Sequence, residues 1–133
     1  MKHYDVSAAI IINDGKILCV QRDSKKFDYI SMRYEFPGGK IELGESKEVA
    51  GKREINEELN LDIEVVEEFL TVIHQYPDFK ITMYSFICAC KDVSTLNLKE
   101  HLNFEWLDKS NLKHLDWAAA DLPIVEKLAG LEI

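Results

Sequence analysis

The sequence predicts one domain of the α/β (α+β) class, with a central mixed β-sheet and helices packed on both of its sides. Three observations carry this expectation. Apolar runs of strand length stand at 6–13, 16–22, 61–77 and 79–91. Two stretches, 46–59 and 120–132, read as helices with recognisable end residues. An Asn-Asp-Gly turn joins the first two strand-like runs, so the sheet cannot be wholly parallel. The 133 residues suit a single domain spanning 1–133, and 47% hydrophobic residues suffice for one core.

The elements follow in order. "VSAAIIIN" (6–13) is a continuous apolar run, as expected of a strand buried on both faces. Asn13-Asp14-Gly15 ends it, and "KILCVQR" (16–22) should return antiparallel beside it. Residues 23–34, polar and aromatic without a period, read as a loop. "EFPGGK" reads as a short extended piece closed by a turn, because Pro37 and the two glycines disfavour regular structure. In 46–59, Ser46 is the N-cap, and Asn60 follows the last helical residue in a position that favours left-handed backbone. Residues 61–77 and 79–91 form two long strands joined around Tyr76-Pro77-Asp78. Residues 101–112 give a short strand and then a turn or short helix. An amphipathic helix at 120–132, with Pro123 in its first turn, ends the sequence.

Composition narrows the partners. Sixteen basic and 24 acidic residues give a net charge of −8, which excludes a nucleic acid polymer bound through its phosphates. A small anion carried in with a metal cation is compatible with that charge. No run has the apolar length of a membrane span, and "MKHYDVSAAIIINDG" does not read as a signal peptide. Cys19, Cys88 and Cys90 contain no C-x-x-C pair and are odd in number, which argues against a disulfide framework or structural zinc. Cys88 and Cys90 should share one strand face as small core residues. A reducing cytoplasm is the expected location, and nothing calls for more than a monomer or weak dimer.

The unusual feature is a cluster of carboxylates. Glu54, Glu57 and Glu58 occupy roughly a third of the circumference of the 46–59 helix. Like charges at this spacing repel by about 0.2–0.5 kcal/mol per pair. Val49, Ile55 and Leu59 fall on roughly the opposite arc, which predicts an apolar back and an acidic front. Ala50 and Gly51 lie on the front, where their small size leaves room for close approach. Arg53 stands one turn before Glu57 and can fix its direction. A solvated helix face would interleave lysines with the glutamates, and this one does not. Three carboxylates on one face suit hard divalent cations bridging to phosphates.

Residues 39–61 resemble the signature of the Nudix hydrolases, G-x5-E-x7-R-E-U-x-E-E-x-G-U, with U a bulky aliphatic residue. Gly39, Glu45, Arg53, Glu54, Ile55, Glu57, Glu58 and Leu61 match in register, and Asn60 replaces the last glycine. The resemblance implies the Nudix fold, an α/β/α sandwich, and hydrolysis of a diphosphate linked to another moiety with Mg²⁺ (Mn²⁺ as the alternative). It implies Glu54, Glu57 and Glu58 as metal ligands, with Gly39 in the same set. One of these glutamates, or one nearby, would help deprotonate the attacking water. Glu45 would assist at the metal, and Arg53 would orient a carboxylate. Gly38, Gly39 and Lys40 can offer backbone N–H groups or an ammonium to a phosphate.

Outside the signature, "EFPGGKIE", "YPDFKIT", "KEH" with "EWL", and "AADLPIVEKL" look like the MutT-type and CTP-pyrophosphohydrolase-type nucleoside triphosphatases. That likeness makes Glu100 an added metal ligand or base, with Glu105 the weaker candidate. It sets Arg22, Phe36 and Asp121 around the nucleoside. Taken alone, Phe36 serves core packing as readily as base stacking, and Asp121 serves as a helix cap. Tyr76 and Trp117 can add a stacking wall. An ionised Asp121 would only accept hydrogen bonds, favouring base edges rich in N–H groups, as in cytosine or an oxidised guanine. The expected activity is cleavage of a nucleoside triphosphate, with CTP, 5-methyl-dCTP and 8-oxo-dGTP as candidates, to monophosphate and pyrophosphate. Two alternatives stand: a Nudix enzyme acting on ADP-ribose or a dinucleoside polyphosphate, and a nucleotide sensor without turnover.

Overall fold

A computed structural model of the chain describes residues 1–24 and 27–131. Its elements in chain order are β1 (Lys2–Asn13), β2 (Lys16–Arg22), β3 (Tyr34–Glu35), β4 (Gly38–Lys40), α1 (Lys47–Leu59), β5 (Glu64–Gln75), β6 (Phe79–Ala89), β7 (His101–Leu107) and α2 (Leu122–Ala129). Short 3-10 turns occupy Lys109–His114 and Ala119–Asp121. Lys25 and Lys26 of the expected 23–34 loop, and Glu132 of the expected final helix, lie outside the described residues.

All the strands join one mixed sheet. β1 lies parallel to β6 from Lys2↔Phe79 to Ile12↔Ala89, and β5 returns antiparallel along the far side of β6. The predicted hairpin is present: Asp14 and Gly15 both have positive φ, +53° and +74°, as a two-residue turn matched to the strand twist requires. Its strands stay paired only at Ile12↔Ile17 and Asn13↔Lys16. Beyond that they part, and residues 34–40 enter the gap. β3 pairs with β2 at Val20↔Glu35, while β4 pairs with β1 at Ser7↔Gly39 and Ala8↔Gly38. β7 takes the other edge of β2.

The expectation of a glycine turn at 38–39 is therefore corrected. Neither glycine has positive φ, and both are strand residues. Glycine is required there by close packing: a Cβ on Gly38 would overlap the Ser7 carbonyl oxygen, and one on Gly39 the Glu54 carboxyl group.

The sheet has a core on each face, which is why β1 is apolar at consecutive positions. Ala8 and Ile10 pack in the cluster that holds Ile124, Val125 and Leu128 of α2. Ala9 and Ile11, pointing the other way, pack with Ile55 and Leu59 of α1 and with Cys88 and Cys90. Helices cover both sides, as expected.

Candidate active site

The site begins with how α1 is seated. The Ser46 hydroxyl accepts a hydrogen bond from the Val49 N–H at 3.2 Å, and Asn60 closes the helix in left-handed backbone (φ 57°, ψ 38°). Both caps match the sequence. The rotation of the helix does not. Its buried residues are Ala50, Gly51, Ile55, Glu58 and Leu59, whereas Val49 is 54% exposed. Glu58 and Gly51 are seven residues apart and thus about 20° apart around the axis. They mark the centre of the packed arc. The small residues receive the sheet: a Cβ on Gly51 would lie 2.9 Å from Ser7 Oγ. The expected division into apolar back and acidic front is replaced by a helix whose acidic edge is partly buried.

Arg53 organises the acidic edge. Its Nε and Nη2 donate to both oxygens of Glu45, at 2.7 and 2.9 Å. Nη1 donates to Glu54 at 2.9 Å and to Glu57 at 3.2 Å, and Nη2 also reaches the Lys40 carbonyl at 3.1 Å. The anticipated Arg53–Glu57 pair exists, but it is the longest of the four hydrogen bonds that Arg53 makes to carboxylates. These hydrogen bonds, with the Glu42 N–H donating to the same carboxylate, draw Glu45 down to about 2. Glu45 thus serves Arg53 in this structure. The Glu57 side chain is 59% exposed, and Lys40 sets its ammonium 4.2 Å from the centre of the Tyr4 ring.

Behind this edge lies a cleft of about 1010 Å³. One end is lined by Glu54, Glu58 and Glu100, and Gly38, Gly39 and Lys40 also border it. Glu58 is only 8% exposed, and its Oε2 is buried without a partner. Burial, a hydrogen bond with Glu100 and the charge of Glu54 push it up to about 9. A buried carboxylate oxygen lacking a partner, beside further carboxylates, fits the oxygen-rich demands of a hard divalent cation. Among the described residues, no three acidic, His or Cys side chains are already gathered closely enough to hold a metal ion. Glu105 does not line the cleft.

Sequence reasoning missed Glu35 and His101, which occupy the middle of the cleft. Arg22 Nε donates to one Glu35 oxygen at 2.7 Å, and His101 Nε2 donates to the other at 3.0 Å. Burial alone would raise the Glu35 carboxyl, but the bonds from His101 and the charge of Arg22 hold it below its usual range. Both residues adjoin positions the sequence did single out, Phe36 and Glu100, yet a two-residue strand and a strand start have no period to reveal them.

The far end carries the expected base-reading residues. Phe36 is 3% exposed and stacks on Trp117 with ring centres 4.7 Å apart, so it both packs the core and lines the cleft. Trp117 stands behind Phe36 rather than in the cleft, and its indole N–H donates to the Leu112 carbonyl at 2.6 Å. Tyr76 lines the cleft, with its hydroxyl accepting from the Ala120 N–H at 3.0 Å and Tyr29 stacked on it at 5.2 Å. Asp121 makes no side-chain cap to α2; its Oδ1 accepts from the Phe36 N–H at 3.0 Å. Burial, aided by the charge of Glu35, pushes Asp121 up to about 8. Raised in this way, the carboxyl favours its protonated form, in which one oxygen accepts and the other can donate, where the ionised Asp121 expected from the sequence would only accept.

Three comparisons bear on this arrangement. The family model described as "NUDIX domain" matches residues 7–127. The chain is 29% identical to the 8-oxo-dGTP diphosphatase of Escherichia coli (strain K12) over 131 residues, covering 98% of this chain and 100% of that one. It is 33% identical to the CTP pyrophosphohydrolase of the same organism over 143 residues, covering 98% and 95%. Among solved structures, the solution structure of the E. coli ORF135 protein aligns with a TM-score of 0.82 at 33% identity, covering 98% of this chain and 91% of that one. The matched span contains the glutamate helix, the paired glycines and most of the residues that line the cleft, and the chain belongs to the Nudix family.

Proposed function

We propose that the chain is a metal-dependent pyrophosphohydrolase that cleaves a nucleoside triphosphate to the monophosphate and pyrophosphate. One observation carries this: a single cleft joins the partnerless Glu58 oxygen at one end to the Phe36–Asp121–Tyr76 pocket at the other. Its E. coli relatives, the 8-oxo-dGTP diphosphatase and the CTP pyrophosphohydrolase, support the same substrate class. Glu54, Glu57, Glu58 and Glu100, with Gly39 beside them, would hold Mg²⁺ or Mn²⁺. When bound, the cation neutralises phosphate charge and makes a water nucleophilic.

The chain's own residues do the rest. Arg53 fixes Glu45 and Glu54 and restrains Glu57. The Glu58–Glu100 pair takes up the proton of the attacking water. Arg22, held by Glu35, turns its remaining guanidinium nitrogens to the nucleotide. Phe36 and Tyr76 offer ring faces to the base, and Asp121 meets the base edge as donor and acceptor together. The three cysteines are buried and unpaired, which supports a reducing, cytoplasmic setting. No described helix is long and apolar enough to cross a membrane. Purified protein should release monophosphate and pyrophosphate from at least one of CTP, dCTP, 5-methyl-dCTP, dGTP and 8-oxo-dGTP with Mg²⁺ or Mn²⁺. Release of neither product from any of them would overturn the assignment.

A further inference from the structure

The one departure from the Nudix signature, Asn60, does more than cap α1. Left-handed backbone suits glycine and asparagine alike, so the cap alone does not require a side chain. Here the side chain is used. Its Nδ2 donates to the Thr95 carbonyl at 3.2 Å, and Thr95 Oγ1 donates back to the Asn60 carbonyl at 2.8 Å. The two residues clasp each other across 35 positions of sequence.

The clasp sits at the start of a seam. Two further N–H groups of the same loop reach carbonyls that the last turn of α1 leaves without helical partners. Asn97 N–H donates to Leu59 at 3.0 Å and Lys99 N–H to Glu58 at 3.1 Å. Leu96 and Leu98 pack against the core cluster that contains Leu59 and Leu61. The loop is thus laced along the end of α1, and the next residue is Glu100, which lines the same cleft as Glu58.

We propose that the Asn60–Thr95 clasp is a positioning device that sets the Glu100 carboxylate against Glu58 at the metal end of the cleft. A glycine at 60 would cap the helix equally well but leave the Thr95 carbonyl without its amide donor. This rests on the role assigned to Glu100 under the proposed function. Asn60 is a positioning residue, since it touches neither the cleft nor a reacting atom.

The test uses the full chain with Asn60→Gly, which keeps the backbone conformation without strain, and Thr95→Val as the reciprocal change. Hydrolysis of 8-oxo-dGTP and CTP is followed alongside Mn²⁺ binding, measured by electron paramagnetic resonance without nucleotide, and amide exchange at Asn97 and Lys99. Each variant should lower kcat about tenfold with KM little changed, weaken Mn²⁺ binding by a similar factor, and speed exchange at both amides. In a Glu100→Gln background, Asn60→Gly should add no further loss, because the group being positioned is gone. An equal loss in both backgrounds, or undiminished kcat and Mn²⁺ binding in both single variants, would overturn the clasp. Full activity and Mn²⁺ binding in Glu100→Gln alone would instead overturn the role of Glu100, and the clasp with it. Absence of hydrolysis by the unaltered chain would refute the proposed function, while the Mn²⁺ and exchange measurements would still decide the clasp.

Discussion

Replacing Asp121 by Asn should stabilise the protein at neutral pH, by an amount set by burial. Asp121 is 4% exposed, and its carboxyl titrates near 8 in the fold against 3.8 for the free side chain. A carboxyl raised in this way costs nothing below pH ~4, where it is protonated in both states. As pH rises, the unfolded chain ionises and the folded one does not, so stability falls until the folded group also ionises near pH 8. At about 1.36 kcal/mol per pH unit, the cost at pH 7 is on the order of 4 kcal/mol, a ceiling that internal relaxation reduces. Asn retains the acceptor for the Phe36 N–H, so no buried donor is stranded. Urea unfolding of both proteins between pH 4 and 8 measures the difference. The two should be nearly equal at pH 4, with the variant gaining steadily to pH 8. A gap that does not widen would show that Asp121 is ionised in the fold and that its surroundings solvate the charge. The same proton governs recognition: base preference of Asp121→Asn and the unaltered chain should agree near pH 6.5 and separate above pH 8, as the carboxylate loses its donor.

Four further outcomes follow from the packing around the site. Gly38→Ala drives a methyl into the Ser7 backbone and should destabilise the fold by about 2–3 kcal/mol in chemical unfolding. Gly39→Ala meets only the movable Glu54 carboxyl, so it should cost less stability but more kcat. Glu58→Gln removes a carboxyl that burial pushes up to about 9; without metal it should unfold at pH 7 no more readily than the unaltered chain, while hydrolysis falls by about a hundredfold or more. Glu45, drawn down to about 2 by Arg53, adds stability that is complete above pH ~4.5 and lost as pH falls toward 2. Arg53→Lys cannot reach both Glu45 oxygens, so its thermal midpoint should vary less over pH 2–6 than that of the unaltered chain.

Local chemistry was legible in the order of residues. Ser46 and Asn60 bound α1 because caps are set by side chains adjacent to the backbone they serve. Asp14-Gly15 makes the turn because both positions need positive φ. The spacing from Gly39 to Glu58 announced the acidic cluster, because a helical repeat turns spacing into proximity. What faces what was decided by the tertiary fold. Periodicity divides α1 into arcs, but Ala50 and Gly51 count as neither apolar nor polar until Ser7 is packed against them. Only then does Glu58 prove to be at the centre of the buried side. Gly38 and Gly39 look like a turn until β1, for the first, and the Glu54 side chain of α1, for the second, lie close enough to forbid a Cβ. Glu35 and His101 come from separate short segments, and their union with Arg22 exists only once β2, β3 and β7 are side by side. The proton on Asp121 belongs to the same class, since ionisation answers to burial and neighbouring charge, and neither is a property of the residue's place in the chain.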